Sequence, residues 1–466
     1  MSSPAALSRP NYRATDRFTD HLTGPGYPRW REQMISTGGC THPIRLSGTW
    51  AVHDATGTEV TSNTGHVLVP CGNRRESVCV ACSDRYAADA FHLLRAGLSG
   101  GTKGVPDHVT ERPRVFLTLT APSFGPVRPD GQARQPGTYD YAGHVLFNAS
   151  AGELWRRFTI AVARHLAKAA GIRVRDFADQ ARLSFAKVAE YQRRGAIHLH
   201  AVLRLDGPGG AHSPAPAWGS TDVLTDAIHA AHAQVRYTTP EFAGQVREFA
   251  WGQQIDVRPI SAANASRFED DGGQINEDQI SSYVAKYATK GTGKSETPDR
   301  PIRSAAQIEH IAVNEHYKRL MRTAWNLGGP VPCPDCHPHG AHKAEGCGCE
   351  NGPYCDTCRN GGQIPGPLAE LKLRRWTHML GFRGHFLTKS KIYSTTFGQI
   401  RDDRRQYRLD ETLTKYGIAG EPVTVVNHWD LANVGYRTAE ERELANAHAE
   451  SRRAERQRNH ATERKD

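Results

Sequence analysis

Two runs of alternating character, LSFAKVAEYQ and IHLHAVLRLD, are separated by a short turn containing Arg193, Arg194 and Gly195. Such a pair predicts a β-hairpin. On a strand, side chains at i and i+2 share a face. His198 and His200 therefore aim two imidazoles at one spot, and Glu190 on the preceding strand is positioned to face them. Two histidines and one carboxylate are softer than Mg²⁺ prefers and suit Mn²⁺ better, although abundant Mg²⁺ would also enter such a site. An open coordination position there would let the metal polarise a scissile phosphate. The same His-x-His spacing also arises incidentally on an exposed strand face, so the pair needs company to mean anything.

The neighbouring segments frame the hairpin. RVFLTLTAP from Arg114 reads as a strand ended by Pro122. Residues 151–170 carry Leu154, Phe158, Ala161, Val162 and Leu166 at helical spacing, with Gly171 as the stop. A helix is expected over 221–235, a strand over 252–260, and a helix from near Asn276 with Ile280, Val284 and Tyr287 on one side. Together they predict an α+β domain with a central antiparallel sheet over residues 110–300.

Tyr283 and Tyr287 are four apart on that last helix and share a face about one turn apart, with Lys286 and Lys290 close by. Two aromatics packing against the sheet would give the same pattern. The functional alternative is phosphotyrosyl chemistry, in which a tyrosine oxygen attacks phosphorus and displaces a 3′-hydroxyl. That chemistry needs a metal for the developing charge and a cation near the phosphate. Metal ligands and nucleophile occurring in one window are far more specific than either alone.

The ten cysteines fall into two clusters with CxxC elements, a pattern of metal binding in a reducing compartment. Cys71, Cys79 and Cys82 form C-x7-C-x2-C, with Cys40 upstream, or His42 as the alternative, to complete a structural zinc site. Cys333-x2-Cys336 and Cys355-x2-Cys358 are separated by 18 residues that include Cys347 and Cys349 as spare ligands. One to three zinc ions are expected overall. GTGKS at 291–295 resembles the end of a phosphate-binding loop, but its first glycine would fall at Ala288 and it follows a helix, so no nucleotide-binding loop is expected there.

These motifs resemble the HUH endonuclease superfamily. His198-Leu199-His200 is similar to its second motif, Tyr283 to Tyr287 (YVAKY) to its third, and Phe116-Leu117-Thr118-Leu119-Thr120 to its first, in the same order. A closer resemblance is to the replication initiators of actinobacterial, Streptomyces-type plasmids and integrative conjugative elements. It is carried by CGNRRESVCVACSDRYAADAFHLLRAGL, KVAEYQRRGAIHLHAVLRLDG, WGQQIDVRPI, ISSYVAKYATK and THMLGFRGHFLTKS, over 40 to about 407. The resemblance implies an HUH-like nicking domain and a rolling-circle initiator. Such a protein nicks one origin strand, stays joined through a 5′-phosphotyrosyl link, and later rejoins the ends. It implies Tyr283 and Tyr287 as nucleophiles, Lys286 and Lys290 at the phosphate, and His198, His200 and Glu190 on Mg²⁺ or Mn²⁺. The cysteine-rich insert departs from that family's pattern.

The expected organisation is a flexible N-terminus (1–35), a cysteine-containing unit (36–109), the nicking domain (110–300), a helical connection (301–327), a zinc-binding insert (328–366), a basic and aromatic DNA-contact region (367–437) and a charged tail (438–466). In the DNA-contact region Arg374, Arg375, Arg383, Lys389 and Lys391 interleave with Trp376, Phe382, Phe386 and Tyr393. They read either as phosphate contacts and base-stacking rings or as a basic segment packed through its aromatics. The surplus of 59 Lys and Arg over 49 Asp and Glu fits a DNA partner without requiring one. No run of about 18 apolar residues predicts a membrane span, and no secretory signal is evident, so the cytoplasm is the expected location. A host helicase and polymerase are expected partners, because no ATPase motif is present. The rival readings are a conjugative relaxase, an HUH transposase and a non-catalytic zinc-containing DNA-binding regulator.

Overall fold

The computed structural model describes residues 22–242, 244–260, 300–335, 357–359, 361–418 and 420–463, with 19 and 298 besides. In chain order its first elements are helix α1 (Tyr27–Ser36), strands β1 (Ile44–His53) and β2 (Glu59–Val69), helix α2 (Val80–Ser99), strand β3 (Arg114–Leu119) and helix α3 (Tyr141–Ala169). The strands β4 (Arg182–Tyr191) and β5 (Ile197–Asp206), helix α4 (Thr221–Gln234) and strand β6 (Ile255–Pro259) come next. Helices α5 (Ala305–His310) and α6 (Glu315–Leu327), strand β7 (Leu387–Lys389), helix α7 (Phe397–Lys415), strand β8 (Thr424–Val434) and helix α8 (Ala439–Glu463) complete the set. This is a mixed α and β fold with antiparallel sheets. The described residues form two units, one from residues up to Leu93 and from Thr396 onward, the other from Leu94 to Thr395. Among them no helix is long and apolar enough to cross a membrane.

The second unit is built on a five-stranded sheet of order β7-β4-β5-β3-β6, every neighbour antiparallel. Strand alternation gives its two faces different chemistry. Leu117, Leu119, Leu199, Leu203 and Leu205 join Leu154, Phe158, Val162 and Leu166 of α3 and Leu224 and Ile228 of α4 in one core. Each such buried leucine contributes about 2 kcal/mol. The opposite face carries His198, His200, Arg204 and, by register, Glu190, Thr118 and Asp256. Arg204 is fully buried; it pairs with Asp206 at 2.7 Å and donates to the carbonyl of Tyr393 at 3.1 Å.

Helix α3 starts ten residues before the expected 151, at Tyr141, where Asp140 accepts from the Gly143 N–H at 2.8 Å. Residues 143–151 are all buried. A turn with no polar face shows no amphipathic period, which is why sequence periodicity misses it.

The first unit holds a three-stranded sheet of order β8-β1-β2. β1 pairs with β8 from Ile44 opposite Val434 to His53 opposite Thr424. Gly48 faces Trp429, where any Cβ would strike the His428 carbonyl. Two buttresses fix α2: Arg453 of α8 bonds Asp84 and Glu76, and Arg404 of α7 bonds the buried Asp89. The expected flexible start at 1–35 is corrected at its end, because 27–36 form α1. Pro28 opens that helix, and Gln33 donates to the His66 carbonyl at 2.7 Å. The span 367–437, read in sequence as one region, is divided between the two units at Thr395 and Thr396.

Candidate functional site

β5 is the central strand of its sheet, and its two histidine rings lie 4.5 Å apart, edge to face. Glu190 sits opposite His198 in register, and its carboxylate lies 3.4 Å from Nε2 of His200. Thr118 Oγ1 on β3 lies 3.2 Å from Nδ1 of His200. With Nδ1 as the donor in that bond, Nε2 keeps its lone pair on the side of Glu190. Phe116 stacks on the His200 ring at 5.9 Å.

Burial first, then His200 and Arg194, push His198 down to about 3. Its imidazole is therefore neutral near pH 7, the form that ligates a cation. Donors on one small cation lie about 3 Å apart, so the His200–Glu190 spacing suits a shared ion. Among the described residues, however, the four-cysteine cluster is the group whose ligand atoms already converge. A cation on all three of His198, His200 and Glu190 would draw His198 inward.

The hairpin turn is fixed from several sides. Gly195 has φ +86, and its N–H donates to the Gln192 carbonyl at 2.7 Å. A three-residue loop with glycine in the left-handed region matches strand twist. Asn148, buried on α3, donates to the Gly195 and Leu380 carbonyls and accepts from the Ile197 N–H at 2.9 Å. Arg194 donates to Gln192 Oε1 at 3.0 Å, which turns the Gln192 amide nitrogen toward His198 Nδ1 at 3.5 Å. His316 Nε2 lies 3.0 Å from the Arg194 carbonyl. Sequence reasoning missed Asn148, Gln192 and Arg194 as supports. The two last sit at the turn itself; Asn148 gave no signal, because its partners are backbone groups distant in sequence. Asp256, opposite Thr118 and bonded by Arg258 at 2.8 Å, was also missed.

The second centre is in the other unit. Cys40, Cys79 and Cys82 are buried, Cys71 is half-buried, and all four are free thiols whose sulfurs lie within 4.8 Å of one another. The sulfur separations include 3.6 Å for Cys71–Cys82, 3.6 Å for Cys82–Cys40 and 3.8 Å for Cys79–Cys40. A tetrahedron with zinc–sulfur bonds of 2.3 Å has edges of about 3.8 Å. The residues therefore fit a chelated metal. Backbone N–H groups of Cys71 and Asn73 donate to the sulfurs of Cys40 and Cys71. His42, the alternative fourth ligand in sequence, is not in this cluster; its Nδ1 lies 3.0 Å from Thr41 Oγ1.

In the cysteine-rich insert, Val331–Pro332 pairs with Gln363–Ile364, and buried Cys333 packs against Cys358. Cys336, Cys347, Cys349 and Cys355 lie outside the described residues. So do Tyr283, Lys286, Tyr287 and Lys290.

The basic and aromatic candidates divide by exposure. Phe382, Phe386 and Tyr393 are buried in the core, so packing, not base stacking, accounts for them. Arg374 lies 4.7 Å over the Trp325 ring, and Arg375 lies 5.3 Å over Trp376. Arg383 bonds the Glu370 carbonyl at 3.1 Å. Lys389 directs its ammonium to the carbonyls of Ser390, Lys391 and Ser394. The side chain of Lys391 is exposed.

A family model described as "Replication initiator protein, pSAM2" matches residues 26–130 and 128–450. A replication initiator protein of Streptomyces ambofaciens is 39% identical over 452 residues, spanning 90% of this chain and 89% of that protein. No solved structure matches.

Proposed function

The chain belongs to the RepSA family of Streptomyces-type plasmid replication initiators, and from that premise we propose that it starts rolling-circle replication as an HUH-type nickase. The observation that carries the reading is the central strand β5. It presents His198 and His200 beside Glu190, with Thr118 bonded to the remaining nitrogen of His200. Mg²⁺ or Mn²⁺ bound by these three residues would polarise the scissile phosphate.

The chain's own residues do the rest. The phenolic oxygen of Tyr283 or Tyr287 attacks phosphorus, and the bond to the 3′ oxygen breaks. The tyrosine loses its proton and the departing 3′ oxygen gains one, with Lys286 or Lys290 handling protons and phosphate charge. The product is a 5′-phosphotyrosine and a free 3′-hydroxyl from which synthesis proceeds. After one round the second tyrosine cleaves the regenerated site, and the 3′-hydroxyl it frees attacks the first phosphotyrosine, rejoining the strand. A host helicase and polymerase supply unwinding and synthesis. Cys40, Cys71, Cys79 and Cys82 would hold a structural zinc that ties the first unit together. A second zinc in the insert would draw on Cys333, Cys336, Cys355 and Cys358, with Cys347 and Cys349 in reserve. Arg374, Arg375, Trp376, Arg383, Lys389 and Lys391 line the DNA path.

The test is covalent capture of single-stranded oligonucleotides tiling the element's origin, with Mn²⁺, Mg²⁺ or a chelator. A metal-dependent adduct lost in the Tyr283→Phe/Tyr287→Phe double variant is expected, and the single variants assign the first nucleophile. Tight binding with no adduct on any tile would favour a non-catalytic DNA-binding regulator.

A further inference from the structure

Helix α7 carries Arg401, Arg404, Arg405 and Arg408, at i, i+3, i+4 and i+7, which is one helical face. This face borders a groove of about 360 Å³ that Arg85 and Asp89 of α2 also line. Five guanidiniums against one carboxylate leave a surplus of four positive charges. Asp89 is buried and is taken by Arg404, with Arg401 at 3.9 Å. Among the described residues Arg405 pairs with the exposed Asp402 of its own helix, at 3.0 Å. Among the described residues, no ion pair takes Arg85 or Arg408.

The groove on the other side of α2 makes the contrast. It is larger, about 530 Å³, and is also lined by arginines. There Asp84 and Glu76 engage Arg453, and Asp84 engages Arg456 at 2.5 Å. Arg453 and Arg456 are thus engaged by carboxylates, whereas on the α7 side Asp89 is, among the described residues, the one carboxylate lining the groove, and Arg404 takes it.

The shape of the charge identifies its ligand. Seven residues of helix separate Arg401 from Arg408, about 10 Å. A row of that length is enough to meet more than one phosphate of a DNA strand. Single-strand binders add open aromatic faces on which bases stack. Here the ring of Tyr86 stacks on Phe397 at 5.5 Å, and Arg401 lies over Phe397. Among the described residues that line the groove, Tyr86 is the aromatic one, and its ring is covered by Phe397. The exposed Tyr407 of α7 lies outside that lining. The groove itself therefore offers cations without an open stacking face, as a duplex backbone requires.

We propose that the arginine groove between α7 and α2 seats the sugar–phosphate backbone of duplex DNA. The cysteine centre beside it, through Cys82 on the groove wall, would keep α2 in register with α7. This inference takes the chain as a DNA-binding initiator but is independent of the nicking chemistry, since its readout is equilibrium binding.

The test uses the full chain and the Arg405→Ala/Arg408→Ala variant. Both side chains are exposed, and the Arg404–Asp89 buttress stays intact. Binding to a duplex of about 30 base pairs, and to one of its strands, is followed by fluorescence anisotropy from about 50 to 200 mM salt. Loss of two phosphate contacts should flatten the slope of log affinity against log salt by about 1.8 for the duplex. Duplex affinity should fall about tenfold or more, with single-strand affinity within about twofold of wild type. An Arg442→Ala/Arg452→Ala variant removes the same charge from α8 and should leave the duplex slope unchanged. An unchanged slope in the α7 variant overturns the proposal. So does an equal loss for the single strand, or an equal loss in the α8 variant, because either would mark a general charge effect.

Discussion

The four-cysteine centre and the histidine pair differ in how far the chain has closed them. At the first, four sulfurs already converge within 4.8 Å of one another and three of the four cysteines are buried. At the second, Glu190 and His200 approach to 3.4 Å, while among the described residues His198 does not complete a converged set. A closed thiolate tetrahedron has no vacant position and suits a structural ion, whereas an open set of His and carboxylate leaves room for a phosphate oxygen. Thiols packed so tightly cannot all ionise without a cation among them. Binding energy at such a centre, about 10 kcal/mol or more, is therefore folding energy.

The largest expected effect tests the closed half of this contrast. Cys79→Ser should remove one equivalent of zinc and lower the melting temperature by about 10 °C or more. Zinc content and a circular-dichroism melt give both numbers. A variant that keeps its zinc and its melting temperature would mean the thiols are simply packed. The open half should respond in the opposite way. His200→Gln should cut metal-dependent adduct formation about 10³-fold, with zinc content unchanged and melting shifted by only about 2 °C. If zinc leaves with His200, the two centres are not separable and the distinction fails.

These two centres were also unequally legible in the sequence. Cys71, Cys79 and Cys82 announce themselves by spacing, yet the fourth ligand stayed open between Cys40 and His42 until the loop geometry chose the thiol. The β4–β5 hairpin was legible because both strands and the Gly195 turn are local. Its supports were not: Asn148 reaches the turn from α3, and Thr118 reaches His200 from a strand 82 positions away. The first unit was the least legible part. Its sheet pairs Ile44 with Val434, and nothing local in either segment records that partner. β8 is exposed at nearly every position, so it lacks the alternation that marks a half-buried strand. For Tyr283 and Tyr287 the sequence pattern stands alone.

A smaller effect sharpens the open half. Thr118→Val removes the hydroxyl beside Nδ1 of His200 without a large change in volume. Loss of such an orienting partner typically lowers metal affinity about 10- to 100-fold. The expected outcome is a higher Mn²⁺ requirement for adduct formation, with the rate at saturating Mn²⁺ close to wild type. A fall in the saturated rate with no change in Mn²⁺ requirement would assign Thr118 to the DNA instead.

The smallest expected effect concerns protons. In the folded chain burial, His200 and Arg194 hold His198 near 3, whereas an unfolded histidine titrates near 6.5. Between those values the unfolded state binds the extra proton. The stability contribution is therefore complete above about pH 6.5 and is lost as pH falls toward about 3. With zinc retained and Mg²⁺ and Mn²⁺ removed, wild type should lose about 1 kcal/mol more than His198→Gln between about pH 6.5 and 5, after discounting for partial exposure. Other buried histidines, His144 and His316 among them, titrate in both proteins and cancel in the difference. Adduct formation should correspondingly stay flat down to about pH 6, since His198 is already neutral there. Equal pH dependence in the two proteins would mean that water reaches the His198 ring freely. Protons would then compete with the cation near pH 6, and the open site would be a wet one whose metal affinity falls with acidity.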